Sequence, residues 1–363
     1  MKRVLHVAGA RPNFMKIAPV MSALRAYPQV SQTLIHTGQH YDEALSKVFF
    51  DELELPRPDE DLGVGSGSHA EQTAKVMLAF EGVCLRREPD AVVVVGDVNS
   101  TVACSLVAAK LGITLAHVEA GLRSFDWSMP EEINRVVTDR LSDLLFTTER
   151  SANENLLAEG TPAQRIHFVG NVMIDTLLAH RRRAAAGAAL ERFGLAARRY
   201  ALVTLHRPSN VDSPQSLAPI LEGLARVAAE MPVLFPAHPR TRQRLETFGL
   251  QDRLGGIRVI DPLGYLDFLA LMAEAAIVLT DSGGIQEETT VLGVPCLTLR
   301  PNTERPVTLT EGTNQLVALE ADAIVDAASQ AARERNGVRP PERVPELWDG
   351  SAATRIAQII AEA

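Results

Sequence analysis

The sequence predicts an α/β protein made of two Rossmann-like domains, each a doubly wound parallel sheet. Short β-branched runs alternate with longer segments in which apolar residues recur at helical spacing. That alternation is typical of parallel sheets with helices on both faces. The chain has 363 residues, enough for two domains of ordinary size. The two halves also resemble each other, since each opens on a strand, a basic turn that contains proline, and a helix.

Eleven segments are predicted to be strands. The first series covers residues 3–10, 33–38, 91–97, 113–120, 143–148 and 165–170. The second series covers residues 200–206, 233–238, 257–260, 275–281 and 294–300.

We assign residues 1–170 to the first domain and residues 171–345 to the second. A proline-rich connector at 337–345 precedes a final helix, for which Ser351 is the predicted N-cap. Ligands of open α/β sheets bind beyond the carboxyl ends of the strands, so the predicted site is a cleft between the two domains.

The composition excludes several classes of protein. Apolar residues make up 46% of the chain, which excludes a disordered protein. The net charge is −9, which argues against a nucleic-acid partner but leaves room for a small anionic ligand. No apolar run approaches the ~18 residues of a membrane span. Three widely spaced cysteines suit a reducing compartment, and we expect a cytoplasmic protein.

The strongest local signal is TDSGGIQEE at 280–288. Ser282, Gly283 and Gly284 open a helix directly after a strand, and the free N–H groups at such a helix start hold phosphate. Glu288 lies one turn later and is suited to accept hydrogen bonds from ribose hydroxyls. The alternative is a plain turn with Ser282 as helix cap and Glu287 as surface charge.

Three cations follow strand ends. Arg11 and Lys16 in GARPNFMK lie beside a helix N-terminus, an arrangement that suits a diphosphate. Arg305 lies in a proline-bounded loop after a later strand. The alternative for the first two is a tight turn with a solvated Lys16.

Three carboxylates stand at further turns and are candidates for proton transfer. Asp97 and Glu119 end strands beside glycines, and Glu131 begins a helix. The alternative for each is helix capping. For Glu131 that alternative is specific, because Ser128 to Glu131 has the form of a capping box with proline at the first helical position. Arg135 would then pair with Glu131 one turn away.

His206 and His238 end strands of the second series and are candidates for the site. The sequence has no HxH, HExxH or CxxC spacing, so we expect no structural metal. It also has no G-x-G-x-x-G motif, so we expect no bound NAD.

Together these motifs resemble the non-hydrolysing UDP-N-acetylglucosamine 2-epimerases. The matching motifs, in family order from about residue 3 to 320, are GARPNFMK, TGQHYD, VVGDVNST, HVEAGLRS, PEEINR, HRPSN, PAHPRT, TDSGGIQEE and TERP. The resemblance implies the glycosyltransferase-B architecture, with the helix at about 346–363 joining the first domain. It implies a homodimer without cofactor that interconverts UDP-N-acetylglucosamine and UDP-N-acetylmannosamine and supplies a precursor of surface polysaccharide.

The resemblance also implies roles for the candidate residues. Positions that contact the UDP-sugar fall on Arg11, Lys16, Asp97, Glu119, His206, Ser282, Gly283, Gly284, Glu288 and Arg305. Phe268 would lie beside the uracil, although composition alone would place it in the core. Glu131 and Arg135 match a further functional pair. We interpret Asp97, Glu119 and Glu131 as the proton-handling groups, with His206 assisting, and we leave open which carboxylate is base and which is acid.

The implied reaction eliminates UDP to give 2-acetamidoglucal and then adds it back with protonation on the opposite face. It requires cations on the departing diphosphate, a carboxylate near C2 and closure against water.

The sequence departs from the family at an activating second site. Asp42 and Glu71 stand where the bacterial members activated by substrate have glutamine and arginine, so we expect little or no cooperativity. Three alternative functions remain. They are 2-epimerisation of a modified sugar such as UDP-2,3-diacetamido-glucuronate, glycosyl transfer on the same architecture, and non-catalytic sensing of a UDP-sugar.

Overall fold

The structure is a computed structural model that describes residues 1–38, 52, 57–335 and 344–363. For residues 11, 334 and 335 it describes the backbone alone. The chain forms two compact units, Met1–Ala179 with Glu346–Ala363, and His180–Pro345. The domain boundary that we placed after residue 170 stays a prediction.

The first unit contains a parallel sheet whose described strands number seven, in the order β3-β2-β1-β4-β5-β6-β7. Its elements are β1 (Lys2–Ala8), α1 (Arg11–Leu24), β2 (Val30–His36), β3 (Glu60–Asp61), α2 (His69–Arg87), β4 (Ala91–Val95), α3 (Asn99–Lys110), β5 (Thr114–Ala120), α4 (Pro130–Leu141), β6 (Leu144–Thr147), α5 (Arg150–Ala158), β7 (Ile166–Phe168), the part of α6 (Val172–Ala185) up to Ala179, and α15 (Ala352–Glu362).

The second unit contains a parallel sheet with six described strands, in the order β10-β9-β8-β11-β12-β13. Its elements are α7 (Ala189–Arg192), β8 (Ala201–Thr204), α8 (Pro208–Val211), α9 (Pro214–Glu230), β9 (Val233–Pro236), α10 (Pro239–Thr247), β10 (Ile257–Ile260), α11 (Tyr265–Ala273), β11 (Ile277–Thr280), α12 (Gly283–Leu292), β12 (Cys296–Thr298), α13 (Val307–Thr310), β13 (Asn314–Leu316) and α14 (Ala321–Arg335).

The predicted fold class is confirmed, and each of the eleven predicted strands is present. The strands β3 and β13 were not predicted. They have two and three residues, lie at sheet edges and carry polar side chains, so they give no periodic signal.

The central strands form the core because they are covered on both faces. All five residues of β4 are buried, as a parallel strand between two helical layers requires. Leu5, Val92 and Phe80 pack in one cluster in the first unit, and Val203 and Leu279 pack in another in the second. No helix within the described ranges is both long enough and apolar enough to cross a bilayer.

The final helix, α15, is fixed to the first unit by side chains distant in sequence. Asp175 of α6 accepts hydrogen bonds from the backbone N–H of Ala352 at 3.2 Å and of Ala353 at 2.7 Å. Ser351 occupies the N-cap position, but its side chain makes no capping bond. Ser351 is thus the N-cap residue, as predicted, but the side-chain acceptors at this helix start come from Asp175. Trp348 adds a hydrogen bond from Nε1 to the backbone oxygen of Thr148, at 2.9 Å.

Replacing Asp175 with alanine should loosen α15. Two buried N–H groups would lose their acceptor, which costs about 1–2 kcal/mol at a helix start. Hydrogen exchange of the α15 amides should accelerate, and the thermal midpoint should fall by several degrees. D175N keeps one oxygen acceptor and should retain most of the protection. Equal exchange in D175A and the wild type would contradict this capping role.

Candidate functional site

The predicted residues of the first unit follow three neighbouring strands, β1, β4 and β5. Lys16 lies on the helix after β1, Asp97 follows β4, and Glu119 lies near the end of β5. Because the strands are parallel, their carboxyl ends share one edge of the sheet. The structure therefore brings the chemistry-bearing residues of this unit to that edge.

Lys16 and Glu119 form a buried ion pair. Lys16 Nζ lies 2.6 Å from Glu119 Oε2, and the two side chains are 9% and 3% exposed. Glu119 has a φ of 74°. The register between β5 and β6 shifts between Val118 and Ala120, so Glu119 sits at a bulge. Positive φ in a residue with a side chain is strained and is common at functional sites.

Gly96 allows Lys16 to approach the turn that carries Asp97. Its φ is 64°, and a Cβ there would lie 3.2 Å from Lys16 Nζ. A larger residue at 96 would crowd the ammonium group and strain the turn. Glycine at this position therefore keeps the Lys16–Glu119 pair next to Asp97.

Asp97 is held by Arg135 of α4. Arg135 Nη2 lies 2.5 Å from Asp97 Oδ2, and Arg135 Nη1 pairs with Glu132. Asn134 Nδ2 donates to the backbone oxygen of Asp97 at 2.9 Å. The expectation that Arg135 pairs with Glu131 was wrong, because the buried partner on its own helix is Glu132. Glu131 is half-buried at the first turn.

The predicted capping box before α4 is also wrong. The N-cap is Met129, and the Ser128 hydroxyl donates to Asp126 at 2.6 Å instead. Pro130 does occupy the first helical position. Glu132 accepts from the backbone N–H groups of Ser124 and Phe125, at 2.9 Å each, so it orders the preceding loop.

Arg11 begins α1, but its side chain lies outside the described part of the chain. Asn13 stabilises this turn, a role the sequence analysis did not assign. Its Oδ1 accepts from the N–H groups of Gly9 at 3.0 Å and Ala10 at 2.9 Å, and its Nδ2 donates to the backbone oxygen of Val95 at 3.2 Å. Asn13 thereby ties the turn after β1 to the end of β4.

The predicted residues of the second unit also gather at one sheet edge. His238 follows β9, His206 follows β8, and Ser282 follows β11, and these three strands are neighbours. His238 is exposed, and its Nδ1 accepts from the N–H of Arg240 at 3.2 Å. The His206 side chain is 47% exposed.

Asp281, a residue the sequence analysis did not select, orients His206. Its carboxylate accepts from the N–H groups of His206 and Arg207 and lies 3.1 Å from His206 Nδ1. Burial opposes ionisation of Asp281, but the hydrogen bonds and charge of these two residues outweigh it, so the pKa of the carboxyl lies below its usual value. Asp281 is the first residue of the DSGG motif, and this was the sequence signal that could have identified it.

The helix α12 begins at Gly283, as the motif predicts. Ser282 is its N-cap residue, as the alternative interpretation has it, but its side chain forms no capping bond. A Cβ at Gly283 would lie 2.4 Å from Arg305 Nη1. Glycine is therefore required for the guanidinium to reach the start of the helix. Gly284 follows in the first turn.

Arg305 is held by two buried glutamates. Its Nε donates to Glu287 Oε1 and its Nη1 to Glu304 Oε1, both at 2.6 Å. The alternative of Glu287 as surface charge is wrong, since it is fully buried. Burial opposes ionisation of Glu304, but Arg305 and Arg300 hold its pKa well below the usual value. The arginine thus keeps a fixed position at the helix start.

Glu288 lies one turn into α12 and is buried. Tyr265 donates a hydrogen bond to its Oε1 at 2.9 Å. Burial raises the pKa of Glu288 to about 8, against the lowering effect of the Tyr265 hydrogen bond. Phe268, on α11 with Tyr265, is half-buried, so it is only partly a core residue.

Of the two residues tied to substrate activation, only Glu71 can be located. Asp42 lies outside the described residues. Glu71 is exposed and forms a capping box with Ser68 at the start of α2, and these hydrogen bonds lower its pKa.

The comparisons agree with this geometry. Residues 22–361 match the family model for UDP-N-acetylglucosamine 2-epimerase. The chain belongs to this family. The family assignment made from nine motifs is thereby confirmed.

Relatives match along nearly the whole chain. The UDP-N-acetylglucosamine 2-epimerase of Methanocaldococcus jannaschii is 42% identical over 98% of this chain and 97% of its own. The UDP-2,3-diacetamido-2,3-dideoxy-D-glucuronate 2-epimerase of Pseudomonas aeruginosa is 41% identical over 99% of both chains.

Solved structures of the family confirm the glycosyltransferase-B type of fold. The M. jannaschii UDP-GlcNAc 2-epimerase in complex with UDP-GlcNAc and UDP matches with a TM-score of 0.92 and 42% identity, over 100% of both chains. The Neisseria meningitidis enzyme bound to UDP-GlcNAc matches with a TM-score of 0.89 and 29% identity, over 99% of this chain and 100% of that one.

The raised pKa of Glu288 predicts a pH-dependent stability that E288Q should remove. The folded protein holds a proton on Glu288 that the unfolded chain releases above pH ~5. The wild-type free energy of unfolding should therefore fall, relative to E288Q, as pH rises from 5 through about 8. Calorimetry at pH 5 and pH 8 should show that the thermal midpoint of E288Q, relative to that of the wild type, is several degrees higher at pH 8 than at pH 5. The expected scale is about 2–4 °C per kcal/mol.

The control is E246Q, at an exposed glutamate of α10 in the same unit. It should follow the wild type at both pH values. Parallel midpoints for E288Q and the wild type would refute the assigned proton.

Proposed function

We propose that this protein interconverts UDP-N-acetylglucosamine and UDP-N-acetylmannosamine, without a cofactor, through elimination and re-addition of UDP. The observation that carries the proposal is the arrangement at the carboxyl edge of β4 and β5. There Asp97 and Glu119 stand on adjacent turns, each paired with a cation, in a chain of the 2-epimerase family.

The carboxylates of the first unit are suited to proton transfer at C2. The hydrogen on C2 is not acidic in the ground state, because no carbonyl is attached to that carbon. As the C1–O bond to UDP stretches, C1 gains positive charge and the hydrogen becomes removable. A carboxylate takes that proton, the C2–H electron pair forms the C1–C2 double bond, and the C1–O pair leaves with UDP. The products, 2-acetamidoglucal and UDP, recombine after a proton is delivered to the other face of C2.

The second unit is suited to hold the departing UDP. The N-terminus of α12 offers free N–H groups and Arg305 offers a fixed guanidinium, and both stabilise charge developing on a diphosphate. His206, half-exposed beside Asp281, supplies a further donor. We assign Glu288 to the ribose and Phe268 to the uracil. Arg11, Lys16, Arg135 and His238 complete the proposed binding set, and Glu131 joins Asp97 and Glu119 in proton handling.

The reaction in D2O tests the proposal. Incubation with UDP-N-acetylglucosamine and no added cofactor should place deuterium at C2 of both epimers. D97N and E119Q should each slow exchange by about 100-fold or more, the usual contribution of a positioned acid or base. Both should still bind UDP, measured by calorimetry, since the α12 N-terminus, Arg305, Glu288 and Phe268, to which we assign the diphosphate, ribose and uracil, lie in the second unit.

The matched control is D143N. Asp143 accepts from the N–H of Leu115 at 3.0 Å, at the opposite edge of the same sheet. D143N should exchange at the wild-type rate. If the wild type never labels C2, the proposed reaction is wrong. If D97N and E119Q label at the wild-type rate, only the assignment of the carboxylates is wrong.

A second candidate function is 2-epimerisation of a UDP-diacetamido-glucuronate. It is favoured by the P. aeruginosa relative, which is nearly as similar as the M. jannaschii enzyme. Comparing kcat/KM for the two nucleotide sugars in the same exchange assay separates the candidates.

We further propose that the protein is a homodimer, working in the cytoplasm, where thiols such as the buried Cys84, Cys104 and Cys296 stay reduced. The support for a dimer is α2, whose Leu78 and Leu85 are 74% and 63% exposed on one helix face. An apolar stripe of this kind is typical of a surface covered by another chain.

The double variant L78D/L85D should therefore be a monomer, because two carboxylates cannot be buried unpaired in an interface. Light scattering coupled to size exclusion measures the mass. L157D, at an exposed leucine of α5, should leave the mass unchanged. A dimeric L78D/L85D, or a monomeric wild type, would exclude α2 as the dimer surface.

A further inference from the structure

The first unit contains a buried polar network that none of the assigned roles uses. It joins His117 of β5 to Asp139 of α4, which are 0% and 3% exposed. His117 Nδ1 lies 2.6 Å from Asp139 Oδ1, and His117 Nε2 lies 2.8 Å from the backbone oxygen of Gly96. A backbone oxygen only accepts, so Nε2 carries a proton.

The second ring nitrogen faces Asp139, a buried carboxyl that its neighbours keep in the ionised form. Burial opposes its ionisation, but the charges and hydrogen bonds of His117 and Arg123 outweigh burial, so the pKa of the carboxyl lies below its usual value. Its Oδ2 already accepts from the N–H of Gly121 at 3.0 Å and from Arg123 Nη1 at 2.7 Å. His117 is therefore held at both ring nitrogens, by Asp139 on one side and by the backbone oxygen of Gly96 on the other.

The network holds the backbone on both sides of Glu119. Asp139 bonds to His117, two residues before Glu119, and to Gly121, two residues after it. Between these anchors Glu119 keeps its positive φ of 74°. A strained residue persists only where its surroundings over-determine it, and Asp139 with His117 supplies that constraint.

The same imidazole ring also contacts the turn that carries the other carboxylate, Asp97. Its Nε2 bonds to the oxygen of Gly96, the residue directly before Asp97. The N–H of Gly96 in turn donates to the backbone oxygen of Val118, directly before Glu119, at 3.0 Å. The two turns are thus joined by one side chain and one backbone bond.

We propose that His117, held by Asp139, is a positioning residue that fixes the separation of the Asp97 and Glu119 carboxylates for proton transfer at C2. The inference rests on the proposed epimerase function. The competing explanation is that His117 is buried for stability alone.

Three substitutions separate the two explanations. In H117Q the amide nitrogen can reach the place of Nε2 and donate to Gly96, whereas in H117N it can reach only the place of Nδ1 and Asp139. H117A removes both bonds. The matched control is H6Q, because His6 is a second fully buried histidine of the same sheet, on β1, and no hydrogen bond of the described residues joins it to Gly96 or Asp139.

The expected result is a loss in kcat with little change in KM. H117A and H117N should lower kcat by about 100-fold, the cost of misplacing a reacting group by about 1 Å. H117Q should recover to within about ten-fold of the wild type. UDP affinity should be unchanged in all three, and H6Q should keep the wild-type kcat whatever its thermal midpoint.

The outcomes distinguish the inference from the function it rests on. A wild type that does not epimerise overturns the proposed function. If the wild type is active and H117Q and H117N lose kcat equally, the positioning role is overturned. It is also overturned if kcat falls in step with the thermal midpoint in all the variants, H6Q included.

The wild type alone supplies a second measurement, should a variant fail to fold. Nitrogen NMR of ¹⁵N-histidine-labelled protein should show one imidazole whose Nε2–H is coupled across a hydrogen bond to a backbone carbonyl, as the contact with Gly96 requires. Absence of this coupling would overturn the link between His117 and the Asp97 turn.

Discussion

The buried ion pair between Lys16 and Glu119 is the constraint on which the first unit's site depends. Taking both charges out of water is costly, and it is tolerated only because the two groups lie 2.6 Å apart. Glu119 reaches that position because its own backbone is bulged and has a positive φ. Lys16 reaches it because Gly96 has no side chain to occupy the space. Either partner alone would be an uncompensated charge in the interior. The local backbone is therefore shaped around the pair.

In the second unit a buried charge is also compensated, here by a larger network of ion pairs. Arg305 must present a cation at the start of α12, and Glu287 and Glu304 fix it there. Glu288, one residue along the same helix, is kept protonated by burial. Two neighbouring buried glutamates thus have different surroundings, since Glu287 pairs with Arg305 and, among the described residues, Glu288 has no such cation to offset its burial. A ligand with a diphosphate and a ribose would meet a cation and an uncharged polar group side by side.

Most of the fold was predictable because the strong signals are local. A buried parallel strand is a short apolar run and an amphipathic helix has a period, so eleven strands were found from the chain alone. The two missed strands are short, polar edge segments that exist only because a neighbouring strand pairs with them. The candidate site residues were selected on a similar local signal, since they follow buried strands or lie in glycine turns. Partners were predicted poorly. Arg135 pairs with Glu132 and Asp97, Glu287 is buried, and the capping acceptor at α15 comes from Asp175 and not from the side chain of the N-cap residue Ser351.

The sequence by itself determined the fold class, the family and the residue types at the strand ends, because strand–helix alternation and motif order are properties of the chain read in one direction. Only the tertiary structure decided which charges meet, that Glu132 and not Glu131 is the buried partner of Arg135, and how His117 and Asp139 connect the turns of two strands. The physical reason is that electrostatic partners are selected by distance and burial. Distance and burial depend on side chains tens to hundreds of residues apart, so they cannot be read from local patterns along the chain.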